Sequence, residues 1–213
     1  MSKRILIILG HPDSETSFCA ALAHHYLQGA NAGRADIREL HLGTLQFDPI
    51  LRTGYRGNQT LEADLKQAQD DILWAEHLVF VYPTWWGTVP ALLKGFIDRV
   101  FQPGFAFKYR KNSPLWDKLL SGRSAELLVT MDTPDWYYRL VYRNAGISLM
   151  KKNILDFSGI SPVKVHTFGP MISSNEKQRD QWLDDASRAG QKAAGKSRPD
   201  RCPPESNAAR SAT

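Results

Sequence analysis

Apolar residues recur in two rhythms along this chain, and the rhythms alternate. Ile5 to Leu9 and Leu78 to Val81 are unbroken apolar runs of strand length, the pattern of strands covered on both faces. Leu92, Leu93, Phe96, Ile97, Val100 and Phe101 instead fall at three-and-four spacing, with Lys94, Asp98 and Arg99 on the other side, which predicts an amphipathic helix. Pro83 stops the strand before it, Thr84, Trp85, Trp86 and Gly87 form a turn, and Pro90 suits the first helical turn, where no amide bond is lost. Strand, loop and helix make one half of a βαβ unit.

The same alternation covers the rest. A first strand from Arg4 to Leu9 leads through a polar loop to a helix over about Phe18 to Gln28. Ala35 to Leu42 alternates as an edge-like second strand, and Leu61 to Ala75 carries helical spacing through Leu65, Ala68, Ile72 and Leu73, after an irregular segment around Phe47-Asp48-Pro49. Ser124 to Met131 reads as a fourth strand, Trp136 towards Phe157 as an aromatic, helical segment, and Ser161 to Phe168 as a fifth strand. A final helix runs from Asn175 to about Lys192, with Ser174 or Asn175 as cap. Five strands and about five helices predict an α/β sandwich around a parallel sheet.

The 213 residues suffice for one such domain with a substantial core, and no internal repeat divides them. The expected division is a folded domain over 1–190 and a basic, disordered tail over 191–213, rich in Ala, Ser, Pro and Arg and poor in large apolar residues. From Gly190 onward the chain holds +3 of the formal net charge of +5, so the basic balance is mostly a property of the tail and no nucleic-acid partner is expected. No apolar run reaches the roughly eighteen residues of a membrane span, and the chain enters a strand without a signal-peptide pattern, so a cytoplasmic protein is the expectation. Cys19 and Cys202 form no disulfide framework.

The chemistry concentrates in the loops that follow strands. Gly10-His11-Pro12-Asp13-Ser14-Glu15-Thr16-Ser17-Phe18 differs from a dinucleotide fingerprint: in place of spaced glycines it offers hydroxyls and an imidazole around a helix amino terminus, which suits one terminal phosphate. A plainer reading is that Ser14, Thr16 or Ser17 merely caps the helix. The loop after the third strand, with Trp85 and Trp86, suits a flat aromatic ligand, and its alternative is a core or interface cluster. Ligands in open parallel sheets bind beyond the carboxyl ends of the strands, where the winding reverses. Two such loops can hold the two ends of one mononucleotide, and flavin mononucleotide (FMN) fits, phosphate at the first and ring at the tryptophans.

Other matches fail on physical grounds. Gly190 to Ser197 satisfies GxxxxGK[ST], but a phosphate loop must follow a strand and open a helix, whereas this segment ends one. Asn58-Gln59-Thr60 matches a glycosylation acceptor with nothing to indicate secretion. His24 and His25 are adjacent on a helix and cannot both face one metal, so no metal site is expected. There is no GxSxG elbow of a serine hydrolase.

With those residues in view, the chain resembles the flavodoxin-like NAD(P)H:quinone oxidoreductases, the diaphorase-type group that includes ancillary subunits of potassium efflux systems. The resemblance spans roughly residues 3 to 185 and rests on Gly10-His11-Pro12 with Ser14 to Phe18, on Tyr82 to Phe101, and on Gly104 to Phe107. It implies a three-layer flavodoxin-like sandwich with a five-stranded parallel sheet in the order 2-1-3-4-5. It also implies a homodimer with a flavin near the subunit interface at each of two sites. Carried across, His11, Ser17, Phe18 and Cys19 would surround the phosphate and ribityl chain, and Pro83, Thr84, Trp85, Trp86 and Gly87 would flank the ring, with amides that stabilise its reduced form. Thr130, Met131, Asp132 and Thr133 would reach the same ring from the fourth strand.

At that fourth strand the sequence departs from the family, where a Thr-Thr-Gly-Gly type loop is common. Pro134 removes an amide donor, Asp132 brings a carboxylate that disfavours negative charge on the reduced cofactor, and Tyr137 and Tyr138 either pack under the loop or reach the substrate. No catalytic acid or base is assigned. The expected activity is hydride transfer from NAD(P)H through bound FMN to a small-molecule acceptor such as a quinone, with flavin adenine dinucleotide (FAD) the alternative cofactor. The alternatives in function are a flavin-binding regulatory subunit of a transporter and a flavodoxin-like electron carrier.

Overall fold

The computed structural model describes residues 2–57 and 59–195. Strand β1 (Arg4–Leu9) pairs in parallel with β2 (Asp36–His41) on one side and β3 (His77–Pro83) on the other. Two further strands, β6 (Ser124–Thr130) and β7 (Val163–Phe168), extend the sheet beyond β3, which gives the order β2-β1-β3-β6-β7. Counted within this sheet the order is 2-1-3-4-5, as expected. The winding reverses between β1 and β3, so the loops after those strands leave the sheet in opposite directions and open a crevice.

Alternate residues of the central strands face two separate cores. Ile5, Ile7, Leu9, Val79, Val81 and Leu128 pack under α1 (Phe18–Ala32) and α6 (Glu176–Ala194). Leu6, Ile8, Leu78, Phe80 and Leu127 face α2 (Ala63–Trp74) and α3 (Ala91–Val100). This is the period-two alternation of a pleated strand, buried on both sides.

Helix α1 continues to Ala32, past the expected end at Gln28, because Gly29 lies at its contact with α6. A Cβ on Gly29 would stand 1.8 Å from the Ser187 carbonyl oxygen, and one on Gly190 would stand 2.1 Å from that of Tyr26. Gly190 is therefore a helix-packing residue, and the described part of the GxxxxGK[ST] match lies within and at the end of α6. Helix α6 runs to Ala194, capped by Asn175 Oδ1, which accepts from the Gln178 amide at 2.9 Å. The remaining tail from residue 196, and Asn58 of the glycosylation match, lie outside the described residues.

Three expectations need correction. Arg99 is not on the polar side of α3 but fully buried; its guanidinium donates to Glu62 at 2.7 Å, to the Thr60 carbonyl at 3.1 Å and to the Asp48 carbonyl. It thereby ties the irregular segment after Phe47 to the helix. The aromatic stretch after Trp136 is not one helix but α4 (Asp135–Leu140), a left-handed pair at Arg143 and Asn144 (φ 51° and 53°), α5 (Ala145–Ser148) and a π-helical turn, Leu149–Asp156. The left-handed pair stops the helical ladder. Finally, β4 (Phe107–Tyr109) and β5 (Trp116–Lys118) form an antiparallel hairpin outside the main sheet, held by stacking of Trp116 on Phe157 at 4.3 Å.

At the amino ends of the strands lies a buried polar cluster. Glu126 is 1% exposed, accepts from Lys164 at 2.6 Å and from the Tyr26 hydroxyl at 3.2 Å, and has the His166 ring 3.5 Å away. Burial opposes its ionisation, but His166, Lys164 and His77 outweigh that and hold the carboxyl down at about 2. His77 is itself pushed down to about 4 by burial.

Candidate active site

The first loop leaves β1 pressed against its neighbours. Gly10 N donates to the Val81 carbonyl at 2.8 Å, and a Cβ at Gly10 would stand 2.9 Å from Leu93 Cδ2. The Asp13 amide, which can only donate, lies 3.0 Å from His11 Nδ1. Nδ1 also lies 2.9 Å from the Asp13 carbonyl oxygen, which can only accept, so the Asp13 backbone holds this nitrogen in either tautomer and Nε2 stays unengaged among the described residues. The Asp13 carboxylate accepts from the Thr16 hydroxyl and from the Thr16 and Glu15 amides, both at 2.9 Å, which holds its pKa down to about 2.

Ser17 caps α1. Its hydroxyl accepts from the Ala20 amide at 3.1 Å and donates to the Asp13 carbonyl at 2.7 Å. Phe18 turns towards α6, edge-on to Trp182 at 6.1 Å. Cys19 is buried against β6, its sulfur 3.4 Å from Thr130 Oγ1, and burial pushes the thiol up to about 11. At such a pKa it is a small packing residue, not a nucleophile.

The second loop is a closed turn. Trp85 N donates to the Thr88 carbonyl at 2.9 Å and Thr88 N donates back at 3.0 Å, with Trp86 and Gly87 between them at φ 50° and 75°. Two successive positive φ angles are the pattern of a type I′ turn, and for tryptophan the left-handed region costs about 1–2 kcal/mol. The Trp86 side chain is fully exposed. A large apolar ring held out in solvent on a strained backbone points to a ligand or a partner surface. Neither the Trp86 nor the Gly87 amide donates to another group among the described residues.

The loops meet. The His11 ring stands edge-on to Trp85, centroids 5.5 Å apart, and Thr84 N donates to the Thr130 carbonyl at 2.7 Å at the end of β6. Met131 is buried beside that contact, and Asp132 Oδ1 accepts from the Ile172 amide at 2.9 Å. Thr84, Trp86, Gly87, Asp132, Thr133, Tyr142 and Ala145 line a cavity of about 350 Å³ at this rim. The free turn amides and the aromatic walls, with the His11 ring beside them, fit a flat, polar-edged ring with an anionic extension, as a flavin has.

Of the two roles expected for Tyr138, the structure shows packing under the loop. It is buried, and its hydroxyl donates to the Gly87 carbonyl at 3.1 Å. A Cβ on Gly146 would stand 2.5 Å from the same Gly87 oxygen. The left-handed break at Arg143 and Asn144 brings α5 back onto the turn, and no residue pattern announces that return.

Comparison with known proteins places this geometry. The profile described as flavodoxin-like fold matches residues 3–192. The chain is similar to the NAD(P)H oxidoreductase YcaK of Escherichia coli, 31% identical over 77% of this chain and 82% of that one. It is similar to the human ribosyldihydronicotinamide dehydrogenase [quinone], 27% identical over 83% and 86%. Among solved structures, an FMN-dependent NADH-azoreductase from Bacillus anthracis in complex with FMN superposes with a TM-score of 0.69, at 19% identity over 90% of this chain and 99% of that one. This chain belongs to the family of the flavodoxin-like fold.

Proposed function

We propose that this protein is a flavin-dependent NAD(P)H oxidoreductase that reduces a quinone or a similar small acceptor. The observation that carries the reading is the meeting of the loops after β1, β3 and β6 at one rim, where His11 stands against Trp85 and a cavity lined by Trp86, Gly87, Asp132 and Tyr142 opens beside two unengaged turn amides. Relatives named as NAD(P)H and ribosyldihydronicotinamide (quinone) reductases, and the FMN-bound azoreductase of the same fold, support it.

FMN is the favoured cofactor. When bound it supplies the acceptor and donor of hydride, so the protein needs no dedicated acid or base of its own. Trp85, Trp86 and Gly87 would hold the ring, the turn amides donating to its polar edge. The His11 ring and the amides at the start of α1 would face the phosphate, whereas the Ser17 hydroxyl holds the helix start. Cys19 and Thr130 would form the floor, and Asp132 and Thr133 the far wall.

Two copies are proposed to act together. Trp86, Trp136, Leu140, Val141 and Tyr142 leave an aromatic and apolar surface exposed around the cavity. Phe107 and Tyr109 line a second, largely apolar cavity of about 390 Å³ beside α3. Joining such surfaces in a homodimer would shield the ring from water, which favours an enzyme over a carrier with an exposed flavin edge. Among the described residues no helix is long and apolar enough to cross a membrane.

The visible spectrum of the purified protein tests the reading. Flavin bands, or their appearance with a shifted maximum on adding FMN, are expected, followed by bleaching with NADH or NADPH and recovery with a quinone. A colourless protein that leaves FMN unbound would reject it.

A further inference from the structure

We infer that Asp132 makes the rim cavity discriminate against anionic acceptors, so that its substrates are uncharged or cationic planar molecules. The inference rests on the flavin reading and adds the class of acceptor to it. Of the residues that line the cavity, Asp132 alone carries a charge at neutral pH; the others are Thr84, Trp86, Gly87, Thr133, Tyr142 and Ala145. No lysine, arginine or histidine stands on that wall to offset it. Arg143, next to the lining residue Tyr142, is exposed and does not itself line the cavity, and Asp135 and Arg139 are engaged with each other at 3.6 Å.

The carboxylate is also held in place. The Ile172 amide binds one oxygen at 2.9 Å, which fixes the side chain between β6 and the segment after β7 and leaves the second oxygen available to the cavity. The other walls reinforce the preference. Trp86 and Tyr142 present π-systems, whose faces attract cations and do nothing for a sulfonate or carboxylate. At a separation of about 5 Å in a water-like dielectric, two like unit charges repel by an amount worth about fourfold in an equilibrium constant. Closure of the cavity by a bound ring, or by a second copy, lowers the dielectric and raises that factor.

The test is equilibrium binding of a redox-inert pair, naphthol and naphthol sulfonate, to the FMN-loaded protein, read from the perturbation of the flavin absorbance. At low salt the sulfonate is expected to bind about fourfold or more weakly than naphthol, and the gap should shrink as salt screens the carboxylate. Asp132→Asn should bring the ratio close to that of wild type in high salt. Asp132→Glu, which keeps the charge, and Asp135→Asn, outside the cavity, should preserve the discrimination. A wild-type ratio that ignores salt, or an Asp132→Asn variant with the wild-type ratio, would overturn the inference while the flavin reading stands. Where a variant fails to fold, a wild-type ratio that ignores salt still overturns the inference. A wild-type chain that takes up no FMN would sink both.

Discussion

The imidazole of His11, in the loop after β1, stands edge-on to the indole of Trp85, in the loop after β3, with ring centroids 5.5 Å apart and planes at 69°. Seventy-odd residues separate the two along the chain, and the parallel pairing of β1 with β3 makes them neighbours. The contact orients His11 from one side while the Asp13 backbone holds its Nδ1 from the other. An aromatic pair of this kind contributes about 0.5–1.5 kcal/mol beyond its burial.

Replacing Trp85 by alanine removes that contact and a wall of the proposed ring site together. FMN affinity should fall by about tenfold, the equivalent of roughly 1.4 kcal/mol. Fluorescence titration of FMN against Trp85→Ala and wild type measures it, and equal affinities would separate Trp85 from the site.

Tyr138→Phe keeps the ring and deletes the hydroxyl that holds the Gly87 carbonyl. Leaving that half-buried carbonyl without its donor should cost about 1 kcal/mol locally. Amide hydrogen exchange at Trp85 and Thr88, whose amides close the turn, should accelerate in the protein without cofactor, while exchange in β1 and β3 stays slow. Gly146→Ala, whose Cβ would stand 2.5 Å from the same oxygen, should loosen the turn from the opposite side.

The buried cluster at the amino ends of the strands sets the acid limit of the fold. His77 has its pKa depressed from 6.5 to about 4, so its neutral form is favoured when folded. That stability is present above 6.5 and is lost as pH falls through about 4. Glu126, depressed from 4.5 to about 2, contributes stability above 4.5 that is lost as pH falls through about 2. Chemical denaturation midpoints measured from neutral pH down to 3 should decline in both windows. His77→Phe should flatten the upper one.

Glu126→Gln should lower stability by about 2 kcal/mol, since Lys164 loses its buried partner but can turn to solvent. FMN affinity should stay at the wild-type value, because Glu126 lies four residues, or about 13 Å, along β6 from the rim. Urea unfolding and FMN titration on the same preparation separate the two effects.

Gly29→Ala should destabilise the protein by about 3 kcal/mol or more, because its Cβ would meet the Ser187 backbone and α1 would have to move off α6. A thermal midpoint unchanged from wild type would show that the two helices part without cost.

By itself the sequence determined the sheet and its rim. Unbroken apolar runs at Ile5 to Leu9 and Leu78 to Val81 can only be strands buried on both faces, helical spacing between strands demands parallel crossovers, and loops after parallel strands share one end of the sheet. Those are consequences of backbone periodicity and chain connectivity, and local sequence carries both. The tertiary structure alone decided what each polar side chain does. Arg99 could be buried because three acceptors from residues 48–62 surround it, Ser17 spends its hydroxyl on the helix start, and Tyr138 clamps a carbonyl 51 residues away in the chain. A hydrogen bond is directional and is satisfied by whichever group arrives within about 3 Å, so its partner is settled by how remote segments pack and not by the residues on either side.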